Sequence, residues 1–467
     1  MSLDIEALGR DVARRFLALA AASLVVGVTA GLLCALYYTP WFSTLARHDL
    51  VLQALRPLHT GATVLWIFFA GMAAVHAWMF EQLADRARAG DASAPALAHA
   101  VARRATAQVA LWASGGVLGS ALLLTGHFSG REYLEWPPVA SLPFVAGWLL
   151  WVWSFVEVSG VRLRNAPVFA WMWASSAFLF LWTFVEAHAW QLSWVSDRPL
   201  QDIAVQWKSY GSLVGSYNLL VYGSLSWLNS KLAGNDTYAR SNLAFALFLV
   251  GIVNSFTNYG HHTYHLPASH WVKWIAFGVS MTEVVLLVRV VWDVAKLANT
   301  WSGRREHPVL RVLLSATTTW TALQLGLAIL MSIPPINSTI HGTLAVPAHA
   351  MGSLIGIDTM ALFAVGVWFF EERAERRTFA LTAVVATNVG LFGLWGVLLI
   401  AGVRSGIALV ERSQLPSVGT FPTWLGPVLF GSGALLAFGL LALTLPWLAP
   451  ARPVTVPRKP PPTPASR

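Results

Sequence analysis

Charge is what this chain has least of. Only 11% of its 467 residues are Asp, Glu, Lys or Arg, against roughly a quarter in ordinary soluble domains. Cysteine is scarcer still: the single one, Cys34, lies inside an apolar stretch. That excludes a disulfide framework, a cysteine zinc cluster and covalent haem attachment through C-x-x-C-H. Acidic residues are outnumbered 22 to 31, giving a formal net charge of +9. The basic residues fall in alternate loops rather than in one patch, so the excess does not point to nucleic acid. The opening "MSLDIEALGRDVARR" is polar and runs into a full-length apolar segment, unlike a cleavable signal peptide.

What is present is apolar: 56% hydrophobic residues, with 24 tryptophans. This predicts an all-α, polytopic membrane protein. Runs long enough to cross a bilayer fall near 15–41, 58–82, 105–126, 138–160, 167–188, 202–230, 240–262, 270–297, 309–333, 339–370, 378–402 and 421–449. The ninth and tenth are interrupted by "SIPPINSTIHGT". One set of loops holds Arg10, Arg14 and Arg15; Arg86, Arg88, Arg103 and Arg104; Arg162 and Arg164; Lys231 and Arg240; Arg304 and Arg305; and Arg373, Arg376 and Arg377. The opposite set holds few, such as Arg47, Arg131, Lys273 and Arg404. The positive-inside rule then predicts an even number of spans with both termini in the cytoplasm. Residues 1–450 are expected to form a single twelve-helix domain. The tail 451–467, "ARPVTVPRKPPPTPASR", has the composition of a disordered segment. Neither a soluble domain nor an internal repeat is evident.

This topology gathers histidines. His59 opens the second predicted span, His188 ends the fifth, His261 and His262 close the seventh, and His349 lies in the outer half of the tenth. All fall at a similar depth near the outer face. Ionisable side chains inside membranes face the bundle interior, a partner or a functional site, and several converging on one layer point to a cofactor. In "PAHAMGS", His349 and Met351 are two residues apart. At about 100° per residue they project to nearly opposite sides, so one helix offers an axial ligand to a haem on each flank. The adjacent pair His261–His262, at a helix end, suits half of a metal site beside such a haem.

"LRPLHTG", "GREYLEWPP", "GHHTYH" and "IHGTLAVPAHAMG", in this order, resemble the catalytic subunit of cytochrome c-dependent nitric oxide reductase, a twelve-helix member of the haem–copper oxidase superfamily. The resemblance covers nearly the whole chain. It implies His59 as an axial ligand of a low-spin haem b and His349 as the proximal ligand of a high-spin haem b. It implies His261 and His262 as ligands of a non-haem iron. Glu132 would help bind a calcium ion bridging haem propionates, with Arg131 and His341 in the propionate shell. Glu135 would lie near the proton entry, and Glu283 near the active site. The implied reaction joins two nitric oxide molecules with two electrons and two protons, giving nitrous oxide and water, as in denitrification. The electron donor would be a separate c-type cytochrome subunit, and the location a bacterial cytoplasmic membrane with the haem layer near the periplasmic face.

Three departures from the family pattern bear on this. Met351 stands where the family has a histidine, and either ligates the low-spin haem or only packs. Tyr210 stands at the third metal-binding histidine, and either coordinates through its phenolate or only hydrogen-bonds. His188 is an alternative ligand outside the family register. Val214 replaces a glutamate. The alternatives are a variant with changed chemistry, dismutating nitric oxide or reducing oxygen, and a non-catalytic haem protein that binds nitric oxide. Two buried acids remain: Glu283, which has a family counterpart, and Asp358, deeper along span ten, which reads as a hydrogen-bonded structural group. Glu186 lies closer to the interface.

Overall fold

Each predicted span overlaps a helix or, for the tenth, several, and the first three helices begin well before the apolar stretches they contain. The computed structural model describes residues 2–37, 39, 49–129, 131, 133–160, 163–257, 259–260, 264, 269–301, 306–374, 378–411 and 424–449. In order these form α1 (Ser2–Leu36), α2 (Asp49–Arg88), α3 (Ala94–Leu124), α4 (Pro138–Ser159), α5 (Val168–Ala187), α6 (Pro199–Ala233) and α7 (Asn242–Thr257). Then come α8 (His270–Thr300), α9 (Pro308–Ser332), α10 (Pro334–Ile340), α11 (Ala345–Met351), α12 (Met360–Ala374), α13 (Thr378–Val410) and α14 (Leu425–Thr444). The early starts of α1, α2 and α3 are turns whose charged side chains pair with other segments, Glu6 with Arg88 at 2.8 Å, Arg56 with Glu135 at 3.0 Å and Arg104 with Glu157. Hydropathy cannot see such turns.

Among the described residues, nine helices are long and apolar enough to cross a membrane. These are α1 to α5, α9, the α11–α12 rod, α13 and α14. The remaining predicted spans fall on α6, α7 and α8. Helix α7 is apolar but 16 residues long, and its expected continuation through residues 258–262 runs largely outside the described residues. Helix α6 owes its polarity to a file of buried hydroxyls, and backbone carbonyls of neighbouring helices take up their protons. Ser212 donates to the Ser255 carbonyl at 2.6 Å, and Ser216 to that of Ser176 at 2.9 Å. A buried hydroxyl satisfied in this way avoids the cost of desolvation. The tail 451–467 lies outside the described residues.

The tenth span is broken, as its prolines require. Helix α10 ends at Ile340, and the turn to α11 passes through Gly342 at φ +76°, a left-handed conformation that glycine adopts without strain. Between α11 and α12 the eight residues Gly352–Thr359 form a π-helix. The Thr359 hydroxyl donates to the Leu354 carbonyl, five residues back, at 2.8 Å. Wide turns of this kind recur at functional sites.

Backbone contact sets where α11 sits. An alanine Cβ at Gly402 of α13 would lie 2.1 Å from the Ala345 nitrogen and 2.8 Å from its Cα. Backbone cannot step aside as a flexible side chain can. We therefore expect Gly402→Ala to push α13 off α11 and to cost about 1–3 kcal/mol. A fall in the thermal midpoint of the detergent-solubilised protein would show it; an unchanged midpoint would mean that the two helices are not in contact.

Candidate functional site

His59 lies two residues after Pro57, inside α2. Its Nδ1 is 2.7 Å from the Gly27 carbonyl oxygen of α1. A carbonyl only accepts, so Nδ1 carries the proton and donates, leaving the lone pair on Nε2. An outer hydrogen bond of this kind fixes both tautomer and ring direction in metal-binding histidines. The ring lies against α1 because residue 31 is glycine: a Cβ there would stand 2.5 Å from Nδ1.

Two contacts set the level of Met351 relative to His59. The Trp66 indole N–H of α2 donates to the Thr359 hydroxyl at 3.1 Å. Further along both helices, the Trp227 ring stacks on Phe369 at 5.9 Å, and its N–H reaches Glu81 at 3.4 Å. Helix α2 and the α11–α12 rod therefore run parallel. His59 is seven residues before Trp66, about 10 Å of helix, and Met351 is eight before Thr359. The two candidate ligands thus lie at similar height on neighbouring elements. Met351 packs against the main apolar core.

His349 turns instead toward α9, where Gln324 is buried. The Gln324 amide sits between His349 and Trp395. An indole N–H only donates, so the amide oxygen faces Trp395, at 3.0 Å. The amide nitrogen then donates to the His349 carbonyl at 3.2 Å and to Nδ1 at 3.0 Å. His349 Nδ1 accordingly accepts, and the ring proton sits on Nε2, the opposite tautomer to His59. The arrangement also requires glycine at 352, where a Cβ would collide with the Gln324 amide at 1.6 Å.

A second cluster lies over the start of α2. Arg131 holds Asp202 of α6 through two bonds, of 2.8 and 3.0 Å, and Glu135 pairs with Arg56 at 3.0 Å. Tyr133 lies between them at φ 62°, a strained conformation for a bulky residue. Its ring meets Tyr210 edge-on at 6.0 Å. The Tyr210 hydroxyl lies near the Arg131 and Gln206 side chains. Trp207 joins His341 to the group, with ring centroids 6.2 Å apart. Burial by itself would lower the Arg131 pKa. The Asp202 carboxylate and then the Tyr210 phenol reverse this and hold it above the usual value. Among the described residues, Arg131 Nε and the indole N–H of Trp136 are buried without partners, two donors suited to an anionic group.

The predicted metal side is less complete. His261, His262 and Glu132 lie outside the described residues, as does the side chain of Glu283 on α8. Among the described residues, no three His, Cys, Asp or Glu side chains are placed to hold a metal. Tyr259, two residues before His261, approaches Gly211: a Cβ on Gly211 would be 3.4 Å from that of Tyr259. Tyr210 is therefore next to the segment leading to the histidine pair. Val214 is exposed on α6. His188 caps α5 with its Nδ1 2.7 Å from the Phe184 carbonyl. Glu186 pairs with Lys208 at 2.6 Å. Asp358 is buried within the π-helix.

Asp202, Gln324 and Trp136 were not singled out from the sequence. Asp202 is 71 residues from Arg131 and Gln324 is 25 from His349. No motif spans such distances. As a haem donor, His59 fits as it stands, its free lone pair on Nε2. His349 presents N–H where iron needs a lone pair. It fits only if Gln324 turns its oxygen to Nδ1 and gives up the Trp395 bond.

A family model described as cytochrome C and quinol oxidase polypeptide I matches residues 11–447. A probable cytochrome c oxidase subunit 1 of Bradyrhizobium diazoefficiens is 23% identical over 357 residues, 68% of this chain and 52% of the relative. The chain thus aligns with about half the length of that curated relative. A heme-copper terminal oxidase dimer solved by cryo-EM superimposes with a TM-score of 0.68 at 14% identity, covering 95% of this chain and 85% of that one. At that identity the likeness shows the shared fold. With the family model matching nearly from end to end, the chain belongs to the cytochrome c and quinol oxidase polypeptide I family.

Proposed function

We propose that this protein is a membrane redox enzyme of the haem–copper oxidase superfamily that reduces a diatomic gas. The observation that carries this reading is the pre-set His59 imidazole, with Nε2 unprotonated and Met351 level with it on a parallel helix. Bound haem b would supply electron transfer there and, at a second haem held by His349, an iron for the gas to bind. This chain's own residues hold and orient the rings: Gly27 and Gly31 seat His59, and Gln324 governs the proton on His349. Arg131, Trp136 and His341 offer donors toward haem propionates, and Glu135 offers a carboxylate for proton entry. Glu132 with a calcium ion, and His261 and His262 with a non-haem metal, complete the proposed site, with Tyr210 or His188 as third ligand and Glu283 nearby. Twelve spans, cytoplasmic termini in a bacterial inner membrane and a c-type cytochrome donor belong to the same reading.

Oxygen is the favoured gas, because both named relatives are oxidases. Nitric oxide reduction is the second reading, supported by "GREYLEWPP" and by the His261–His262 pair. The test gives the reduced, haem-loaded protein each gas separately. Oxygen uptake without nitrous oxide is the expected result. Nitrous oxide formed without oxygen uptake would overturn it in favour of the second reading. Dinitrogen with oxygen would mean dismutation, and consumption of neither gas would leave a binding protein.

A further inference from the structure

The amino-terminal half of α1 and the start of α3 enclose a recess of about 240 Å³. It lies at the end of the bundle where α1 begins and α2 ends. Leu8 and Val12 of α1 line its apolar side, and Arg15, His99, Arg103 and Thr106 its polar side. On α3, His99, Arg103 and Thr106 are four and three residues apart and so share one face. Arg15 bridges the helices: one guanidinium nitrogen donates to the Thr106 hydroxyl at 3.0 Å, the other to Asp11 at 2.6 Å.

The recess carries more positive charge than the protein balances. Three neighbouring arginines are engaged elsewhere: Arg14 on the Phe369 carbonyl at 3.0 Å, Arg104 on Glu157 and over the Trp153 ring, Arg88 on Glu6 and Asp85. Arg103 and His99 have no hydrogen bond or ion pair among the described residues. Along α3 the exposed face continues from Arg103 through Ala107, Ala110, Ser114 and Val117. Only 28% of the apolar window of α3 is buried inside the protein. A cationic recess thus opens onto a smooth apolar track that leads into the membrane. A free anion would use only the first part, whereas a lipid with an anionic headgroup uses both. Space for roughly eight waters, at about 30 Å³ each, admits a phosphate with its glycerol.

The structure assigns this recess to one anionic phospholipid, its phosphate on Arg15, Arg103 and Thr106 and an acyl chain along the exposed face of α3. Basic pockets between helices at an anionic leaflet are suited to such headgroups. The assignment rests on membrane residence alone, and not on the redox reading.

The test uses the full chain in detergent, with native mass spectrometry after exposure to phosphatidylglycerol or to phosphatidylcholine of the same acyl composition. One phosphatidylglycerol per chain, retained in preference to phosphatidylcholine, is expected. Arg103→Gln should lower its retention about five-fold, the factor that corresponds to one surface charge. Arg103→Lys should keep most of it. Arg289→Gln, at an exposed arginine on α8, should leave it unchanged. Gel filtration would establish that each variant is folded. Equal retention by wild type and Arg103→Gln would overturn the assignment. So would displacement of the lipid by millimolar inorganic phosphate, which would make the recess a site for the free anion.

Discussion

On the proposed haem assignment, His59→Leu should cut the haem content from two per chain to one, with loss of the six-coordinate low-spin bands. The imidazole is held by the Gly27 carbonyl at 2.7 Å and seated against Gly31, and leucine offers iron no donor at all. Gly31→Ala should act in the same direction through the ring's position, because its Cβ would press on Nδ1. Met351→His belongs to the same experiment. It should keep six-coordination while lowering that haem's potential, on the order of 100 mV within the roughly 0.8 V range that axial ligands span. A pyridine haemochrome assay and a redox titration measure both effects. Unchanged haem content in His59→Leu would remove His59 from the ligand set. An unchanged potential in Met351→His would leave Met351 as packing.

The second large effect concerns His349. On the same proposed assignment, His349→Leu should abolish carbon monoxide binding, which would report the second haem. Gln324→Leu should keep it, for a reason particular to this chain. The Gln324 amide holds the His349 proton on Nε2. With the amide removed, the tautomer that frees Nε2 becomes available. Stability should fall, because the Trp395 N–H and the His349 carbonyl each lose a buried partner, about 1–3 kcal/mol apiece. The pairing of a lower melting point with intact carbon monoxide binding is the signature to look for. A folded Gln324→Leu protein that no longer binds the gas would mean that the amide instead holds the ring ready for iron, oxygen toward Nδ1.

Much of the helical frame was legible because twenty-residue apolar runs have few other ways to fold. The places that escaped hydropathy are physically specific. Helix α6 reads as weakly apolar because Ser212, Ser216 and Ser224 put hydroxyls into its buried face, and only the facing carbonyls show how they are tolerated. His59 and Met351 were legible as residue types in a pattern. Their common height depends on Trp66 and Thr359, which are 293 residues apart. The tautomers of His59 and His349 could not be read at all, since each depends on a partner from another helix. The same holds for Arg131: its sequence neighbours Glu132 and Glu135 suggest the loop's chemistry, yet Asp202 of α6 holds its guanidinium.

The π-helix Gly352–Thr359 has a consequence for how the two candidate ligands are aimed. It winds more widely than the α-helices it joins, so it sets the angle between the Trp66 anchorage below and the His349–Met351 turn above. Recasting its eight residues as ordinary helix, at about 100° each, would turn both side chains around the rod while the lower half stayed seated. Direction at the upper end is thus dialled by the winding of a stretch to which neither side chain belongs.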